Sequence, residues 1–274
     1  EIYSFDKEAL WKGTVYPASE KENWFVSVTA AYYNFLKQLP DDTERAFNYT
    51  KDELTELNYR LLYTISKEGT VEPLNAKTVY DKYNNYQIPR IKATYLLHQL
   101  RLKLGNKTFS VVMNKIHEQY KEKNIKTEDV LATIEKLSGE ETKELALQWL
   151  TRSDVPNVNF SPAVEKSADG YKVKLNINQS GAAYKFFTTV AFDFAKERIV
   201  KIVEVIEANQ TTELTFKEKP VKVIFNYGND IPVQRKNFYT YQNLFDDFAN
   251  VLIVYGTNQQ IEANNTIALR YQKV

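Results

Sequence analysis

The chain changes its character within the stretch Leu-Gln-Trp-Leu-Thr-Arg-Ser-Asp-Val-Pro-Asn-Val (147–158). Before this stretch, apolar residues recur every three to four positions, which is the spacing that one buried face of a helix requires. After it, apolar and polar residues alternate, as they do in strands with one buried face. Pro156 lies at the change and ends any helix that precedes it.

The half before this change is predicted to be helical. The segments with helical spacing are residues 24–39, 54–65, 91–104, 109–120, 127–137 and 141–150. Gly105 is expected to end the third helix, because glycine readily adopts the left-handed conformation that follows a helix. Thr127 is expected to be an N-cap, because its hydroxyl can accept from free backbone N–H groups and acidic residues follow it.

The half after the change is predicted to form an antiparallel β-sandwich. Residues 171–178 alternate apolar and polar side chains, so one face of this strand is expected to be buried. Further strands are predicted over residues 186–194, 199–206, 211–216 and 221–225. Short strands separated by turn residues are typical of two packed antiparallel sheets.

The last part of the sequence predicts a helix, a strand and a second helix. Residues 238–248 have helical spacing, residues 251–255 are a continuous apolar run, and residues 261–271 again have helical spacing. An apolar strand, a tight turn and a helix form the first half of a parallel βα unit, which cannot build a sheet alone. We therefore expect this part to be the truncated start of another domain.

The predicted fold class is multidomain α + β: an all-α lobe, then an antiparallel β-sandwich, then the start of a βα unit. The domains are predicted over residues 1–152, 153–232 and 233–274. A length of 274 residues is compatible with more than one domain.

Composition excludes several kinds of function. Lys and Arg total 36 and Asp and Glu total 35, and this balance gives no attraction to nucleic acid. The absence of Cys excludes disulfides and thiolate metal sites, and two His leave few options for a zinc enzyme. No apolar run could span a membrane and the first residues are not a targeting segment. We expect a soluble protein of undetermined compartment.

Three segments carry a resemblance to a known family. They are Tyr-Leu-Leu-His-Gln-Leu-Arg-Leu-Lys-Leu-Gly (95–105), Thr-Glu-Asp-Val-Leu-Ala-Thr-Ile-Glu-Lys-Leu-Ser-Gly (127–139) and the stretch 147–158 quoted above. They resemble the zinc-dependent gluzincin aminopeptidases of the aminopeptidase N family. The resemblance covers roughly residues 1–230 and implies the C-terminal, helical part of that family's catalytic domain, followed by its β-sandwich.

The resemblance also implies a zinc site, but every matching position is changed here. The family uses a His-Glu-x-x-His motif and a later Glu in a Trp-containing helix. Matched through Trp24, the substituted positions are Ser4 (first His), Phe5 (general base), Glu8 (second His) and Ser27 (third ligand). Serine is a poor zinc ligand and phenylalanine cannot accept a proton from water. No metal and no cofactor is therefore expected, although zinc is expected in the family.

The remaining candidate residues concern peptide binding. Arg90 occupies the position where the family has a Tyr that contacts the oxyanion, and Trp24, Tyr80 and Arg90 are candidates for a peptide groove. His98, in an apolar helix, is expected to be a half-buried packing residue. The other histidine, His117, is expected at the surface of a polar helix.

We therefore expect a noncatalytic fragment of an aminopeptidase-N-like protein, acting as a scaffold or peptide-binding module. Its expected partners are peptides or another protein, and the remaining domains of a longer chain. The alternative is the C-terminal part of an active zinc metallo-aminopeptidase whose zinc motif lies outside this chain. A third class is a hydrolase whose chemistry lies beyond Val274.

Overall fold

The computed structural model describes residues 14–40, 43–68 and 83–232. Within these ranges a helical lobe precedes antiparallel sheets, so the predicted α + β class is confirmed for them. The predicted helix-strand-helix segment at 233–274 lies outside the described residues, as does the expected start of a βα unit. The division into separate domains stays a prediction.

The helical lobe contains five α-helices within the described ranges. They are α1 (Asn23–Lys37), α2 (Thr43–Glu68), α3 (Tyr83–Tyr120), α4 (Thr127–Ser138) and α5 (Glu140–Thr151). Two short strands, β1 (Tyr16–Pro17) and β2 (Asn124–Ile125), pair in parallel beside the helices. This pair was not expected from the sequence, because two residues are too few to show an alternating pattern.

The helix α3 is interrupted at Gly105, as predicted. The backbone there has φ 71° and ψ 162°, whereas the residues on both sides are helical. A side chain at this φ would crowd the backbone, which is why glycine occupies the position. The break separates an apolar first part of α3 from a second part that begins its own buried face at Phe109.

The start of α4 differs slightly from the prediction. Thr127 is the first helical residue, and Lys126 before it is the N-cap. The Asp129 carboxylate accepts from the Lys126 N–H at 2.9 Å, so an acidic residue of the first turn performs the capping. The Thr127 N–H donates at 2.6 Å to Glu22, which lies just before α1 and so joins the beginnings of the two helices.

Six further strands form two three-stranded antiparallel sheets. They are β3 (Val158–Ser167), β4 (Gly170–Gln179), β5 (Phe186–Asp193), β6 (Arg198–Val205), β7 (Asn209–Phe216) and β8 (Lys222–Phe225). One sheet has the order β3-β4-β7 and the other β6-β5-β8. The predicted strands are all present, and β3 is the strand that no prediction located. It contains Pro162, which an edge strand tolerates because one side of it needs no hydrogen-bonded partner.

Aromatic pairs join the two sheets. Phe160 stacks on Phe225 with ring centroids 4.9 Å apart, and Phe192 packs on Phe216 at 4.6 Å. Each pair joins one sheet to the other, so the buried faces meet in a shared core, as in a sandwich. The strand β5 is buried along nearly its whole length, because helix α3 covers the face that the other sheet does not.

Among the described residues, no helix is both long enough and apolar enough to cross a bilayer.

We predict that Gly105→Ala lowers the free energy of unfolding by about 1–3 kcal/mol. No atom lies within 4 Å of the position that the new methyl group would occupy, so the loss comes from the backbone conformation alone. Urea denaturation measures it. Ser110→Ala, at an exposed position of the same helix, is the control and should change stability by less than about 0.5 kcal/mol. Equal stability of the two variants would contradict the prediction.

Candidate functional site

A buried carboxylate lies where the helical lobe meets the sandwich. Asp230 follows the last strand and is 2% exposed. Its Oδ1 accepts from His98 Nε2 on α3 at 2.9 Å, and its Oδ2 accepts from the N–H and hydroxyl of Thr189 on β5 at 2.7 and 2.6 Å. Both carboxylate oxygens are therefore engaged, one by each lobe.

The charge of Asp230 is compensated by these donors. Burial acts to raise the pKa of this carboxyl, but the hydrogen bond from His98 and the bonds from Thr189 together hold the pKa below its usual value. Asp230 is therefore ionised at neutral pH. His98 Nδ1, in contrast, is buried without a hydrogen-bond partner among the described residues.

Gln99, the next residue on α3, completes the junction. Its amide N–H₂ donates to the carbonyls of Phe187 and Asp230 at 2.9 and 2.8 Å, and its carbonyl accepts from the Phe187 N–H at 2.7 Å. Three bonds from one fully buried side chain fix the helix against strand β5 and the turn after β8. His98 and Gln99 therefore act as adjacent contacts from one helix to the sandwich.

A cavity of about 280 Å³ opens beside this junction. Helices α2 and α3, strands β5 and β6 and the turn before Asp230 surround it. Its walls combine aromatic and aliphatic side chains, two cations and the buried His–Asp pair. The principal lining residues are Phe47, Lys51, His98, Arg101, Leu102 and Ile202.

A second junction lies at the other end of the first part of α3. Lys92 is 2% exposed, and its ammonium donates to the carbonyl of Arg152 at 2.5 Å. Burial lowers the pKa of Lys92 to about 8, and the Asp154 charge opposes this only in part. The Arg152 guanidinium lies 3.6 Å from the centroid of the Tyr184 ring and donates to the carbonyl of Ala183 at 2.7 Å, so it also joins the lobes.

Most of the positions that the resemblance assigns to zinc lie outside the described residues. Ser4, Phe5, Glu8 and Tyr80 lie outside those residues. Ser27 lies on α1 and Arg90 on α3, and only their places on these helices are described.

Trp24 has a structural role. Its side chain is 2% exposed, its ring packs edge-on against Phe25 at 5.2 Å, and its indole N–H donates to the Thr127 hydroxyl at 2.9 Å. A ring enclosed in this way leaves no surface for a peptide, so Trp24 does not contribute to an open groove.

Both histidines differ from their predictions because each has a polar partner distant in sequence. His98 is 3% exposed and bonded to Asp230, whereas a half-buried packing residue was expected. His117 is half-buried rather than at the surface, with its Nε2 3.0 Å from the Thr14 hydroxyl. Neither partner could be predicted from a local pattern, because Thr14 and Asp230 lie on segments remote from α3 in the sequence.

The described residues do not fit a catalytic zinc ion. Within residues 14–40, 43–68 and 83–232, no group of three His, Cys, Asp or Glu side chains is placed to hold a metal. A catalytic zinc needs three such ligands around one point. His98 is also already committed to a carboxylate in the core.

We predict that Asp230→Asn lowers the free energy of unfolding by about 3 kcal/mol. The amide has one acceptor oxygen, so its nitrogen faces either the Thr189 N–H or His98 Nε2, and in the second case the ring proton must move to Nδ1, a buried atom without a hydrogen-bond partner among the described residues. Thermal and urea denaturation measure the change. Asp52→Asn, at an exposed position of α2, is the matched control and should stay within about 0.5 kcal/mol. A loss below 1 kcal/mol for Asp230→Asn would show that the carboxylate is dispensable.

We predict that stability rises between about pH 8 and pH 10.5 because of Lys92. Across this interval the folded state has lost a proton that the unfolded state keeps, so the unfolded state binds more protons and rising pH favours folding. The gain approaches about 3 kcal/mol at most. Lys92→Met should remove this part of the pH dependence, measured by urea denaturation at several pH values. Lys121→Met, at an exposed position, should retain it. An unchanged slope in Lys92→Met would refute the assignment.

Comparisons with known proteins show the fold. No protein-family model matches the sequence, and no curated protein matches it. Among solved structures, the chain is similar to Legionella pneumophila aminopeptidase A in complex with aspartic acid, with 17% identity and a TM-score of 0.57 over 86% of this chain. It is also similar to an M1 zinc metallopeptidase from Deinococcus radiodurans bound to a Tyr-Ser-Ala substrate, with 19% identity, a TM-score of 0.42, and coverage of 53% of this chain and 31% of that one. The chain spans 26% of the Legionella protein and shares the fold of that part of an aminopeptidase.

Proposed function

We propose that this chain is a noncatalytic, peptidase-like module that acts as a scaffold or binds extended peptides. The observation that carries the proposal is that both histidines of the chain contact other residues of the protein. The whole sequence contains only His98 and His117, and each contacts a partner within the protein. A His-Glu-x-x-His zinc motif therefore cannot be assembled from this chain.

The buried junction adds an energetic reason. Turning His98 toward a metal would break its bond to Asp230 and leave an uncompensated carboxylate in the core. Such a loss is worth several kcal/mol, which is a large part of the stability of an ordinary domain. His98 is therefore fixed as a structural residue.

The peptidase-like part of the proposal rests on the shared fold. The helical lobe and the sandwich follow one another as the resemblance implies, and the fold likeness to an aminopeptidase supports this reading. A chain that has this fold but no set of metal ligands would act by binding, through its shape and its surface.

Arg90 is the residue through which peptide binding is proposed. It lies on α3, at the position of the oxyanion-binding Tyr in the resemblance. A guanidinium pairs well with the terminal carboxylate of a peptide. With Trp24 enclosed in the core, this hypothesis rests on Arg90 and Tyr80.

The proposal is tested by metal analysis and by aminopeptidase assays on the full chain. After incubation with zinc and desalting, we expect far less than one zinc per chain and no release of an aminoacyl reporter group above buffer. A known zinc aminopeptidase, treated in parallel, is the positive control. About one tightly bound zinc per chain, with chelator-sensitive release of N-terminal amino acids, would overturn the proposal that the chain is noncatalytic.

A parallel assay of the full-length gene product addresses the alternative. Zinc-dependent activity there, combined with none in this chain, would make the chain a part of an active metallo-aminopeptidase. The peptide-binding part is tested separately, by titrating extended peptides with free carboxyl ends into the chain and into its Arg90→Met variant. Weaker binding by this variant than by Lys121→Met is the expected result, and equal binding would exclude Arg90.

A further inference from the structure

We propose that the cavity beside the His98–Asp230 pair binds a small organic acid. Its carboxylate would lie between the Lys51 ammonium and the Arg101 guanidinium. Its apolar part would contact Phe47, Leu102 and Ile202, which also line the cavity. This site is independent of the proposed peptide contact at Arg90, which is 11 positions before Arg101 on α3, on the other side of the Lys92 junction.

The first argument is the charge of the cavity. Lys51 and Arg101 both line it, and neither has an ion-pair partner among the described residues. The lining contains one carboxylate, Asp230, whose two oxygens already accept from His98 and Thr189. The cavity therefore presents two cations and no available anion, and a negatively charged ligand would supply the missing partner.

The two cations are also held in place. The Lys51 ammonium lies 3.9 Å from the centroid of the Tyr227 ring, in a cation–π contact. The Arg101 Nε donates to Asn106 Oδ1 at 2.7 Å, just beyond the Gly105 break. Positioned charges lose less side-chain entropy when they bind an anion, so these contacts prepare the site rather than neutralise it.

A third observation is an unpartnered polar atom. His98 lines the cavity, its side chain is 4% exposed, and its Nδ1 has no hydrogen-bond partner among the described residues. Buried polar atoms in native proteins nearly always have a partner, so this atom, on a residue that lines the cavity, indicates a group that completes it. A polar ligand atom or a water carried with the ligand would do so.

The walls and the volume define the class of ligand. Ile202 is 56% exposed on β6, and together with Phe47 and Leu102 it gives the cavity an apolar side. A volume of about 280 Å³ is just below the usual range for ligand sites, which suits a small molecule rather than a helix or a strand. An apolar lining together with two cations matches a carboxylate attached to an aromatic or branched aliphatic group.

The site is tested by titrating phenylacetate and isobutyrate into the full chain and following backbone amide shifts by NMR. We expect saturable binding with shifts concentrated at Gly105, Asn106 and Gly228. The neutral isostere phenylacetamide should bind at least about tenfold more weakly, because it lacks the charge that the cations recognise. Inorganic phosphate should also bind more weakly, because it has no apolar part.

Variants assign the binding to this cavity. Lys51→Met should weaken phenylacetate binding about tenfold or more, and Ile202→Ser should weaken it by removing an apolar wall. Lys121→Met is the control and should bind like the unmodified chain. Thermal denaturation of each variant shows that it is folded.

Several results would overturn the proposal. They are the absence of saturable binding by either acid, equal affinity for phenylacetate and phenylacetamide, unchanged affinity in folded Lys51→Met, and shifts at residues away from the cavity. Phosphate binding as tight as that of phenylacetate would overturn the organic-acid assignment, because it would leave the apolar walls without a role.

Discussion

The hydrogen bonds of the ionised Asp230 carboxylate are the interactions on which the described structure depends. It is buried between the lobes, where an unpaired charge would be very unfavourable. One oxygen is satisfied by a helix and the other by a strand, so neither lobe alone provides a suitable environment for it. Gln99 adds three bonds beside it. Because the Asp230 carboxylate and the Gln99 amide are both fully bonded, the junction fixes one relative arrangement of α3 and β5, which an apolar contact would define less strictly.

The same junction determines what the surrounding residues can do. His98 is bonded to Asp230 and also lines the cavity, and its Nδ1 has no hydrogen-bond partner among the described residues. Gly228 donates its N–H to the Thr189 hydroxyl at 2.7 Å, and a side chain there would press against both Thr189 and Asp230. The hydrogen bonds that fix the junction therefore lie next to an open cavity lined by two cations, in a fold shared with part of an aminopeptidase.

Local patterns predicted most of the described elements, because the spacing of apolar residues distinguishes helices from strands. The break at Gly105 followed from glycine alone. Strand β3 was missed because Pro162 and its exposed edge obscure the alternation. The pairing of His98 with Asp230 could not be predicted, because 132 positions separate them and neither residue lies in a local sequence pattern that indicates a partner. The same holds for the cavity, which exists only once α2, α3 and the sandwich are assembled.

The sequence separation of the junction also bears on the order of folding. Bonds from α3 to Asp230 close a loop of more than 100 residues, and contacts of this kind form slowly because ordering a long loop is entropically unfavourable. During synthesis the helices emerge first, and the polar groups of His98 and Gln99 remain hydrated until the end of the sandwich leaves the ribosome.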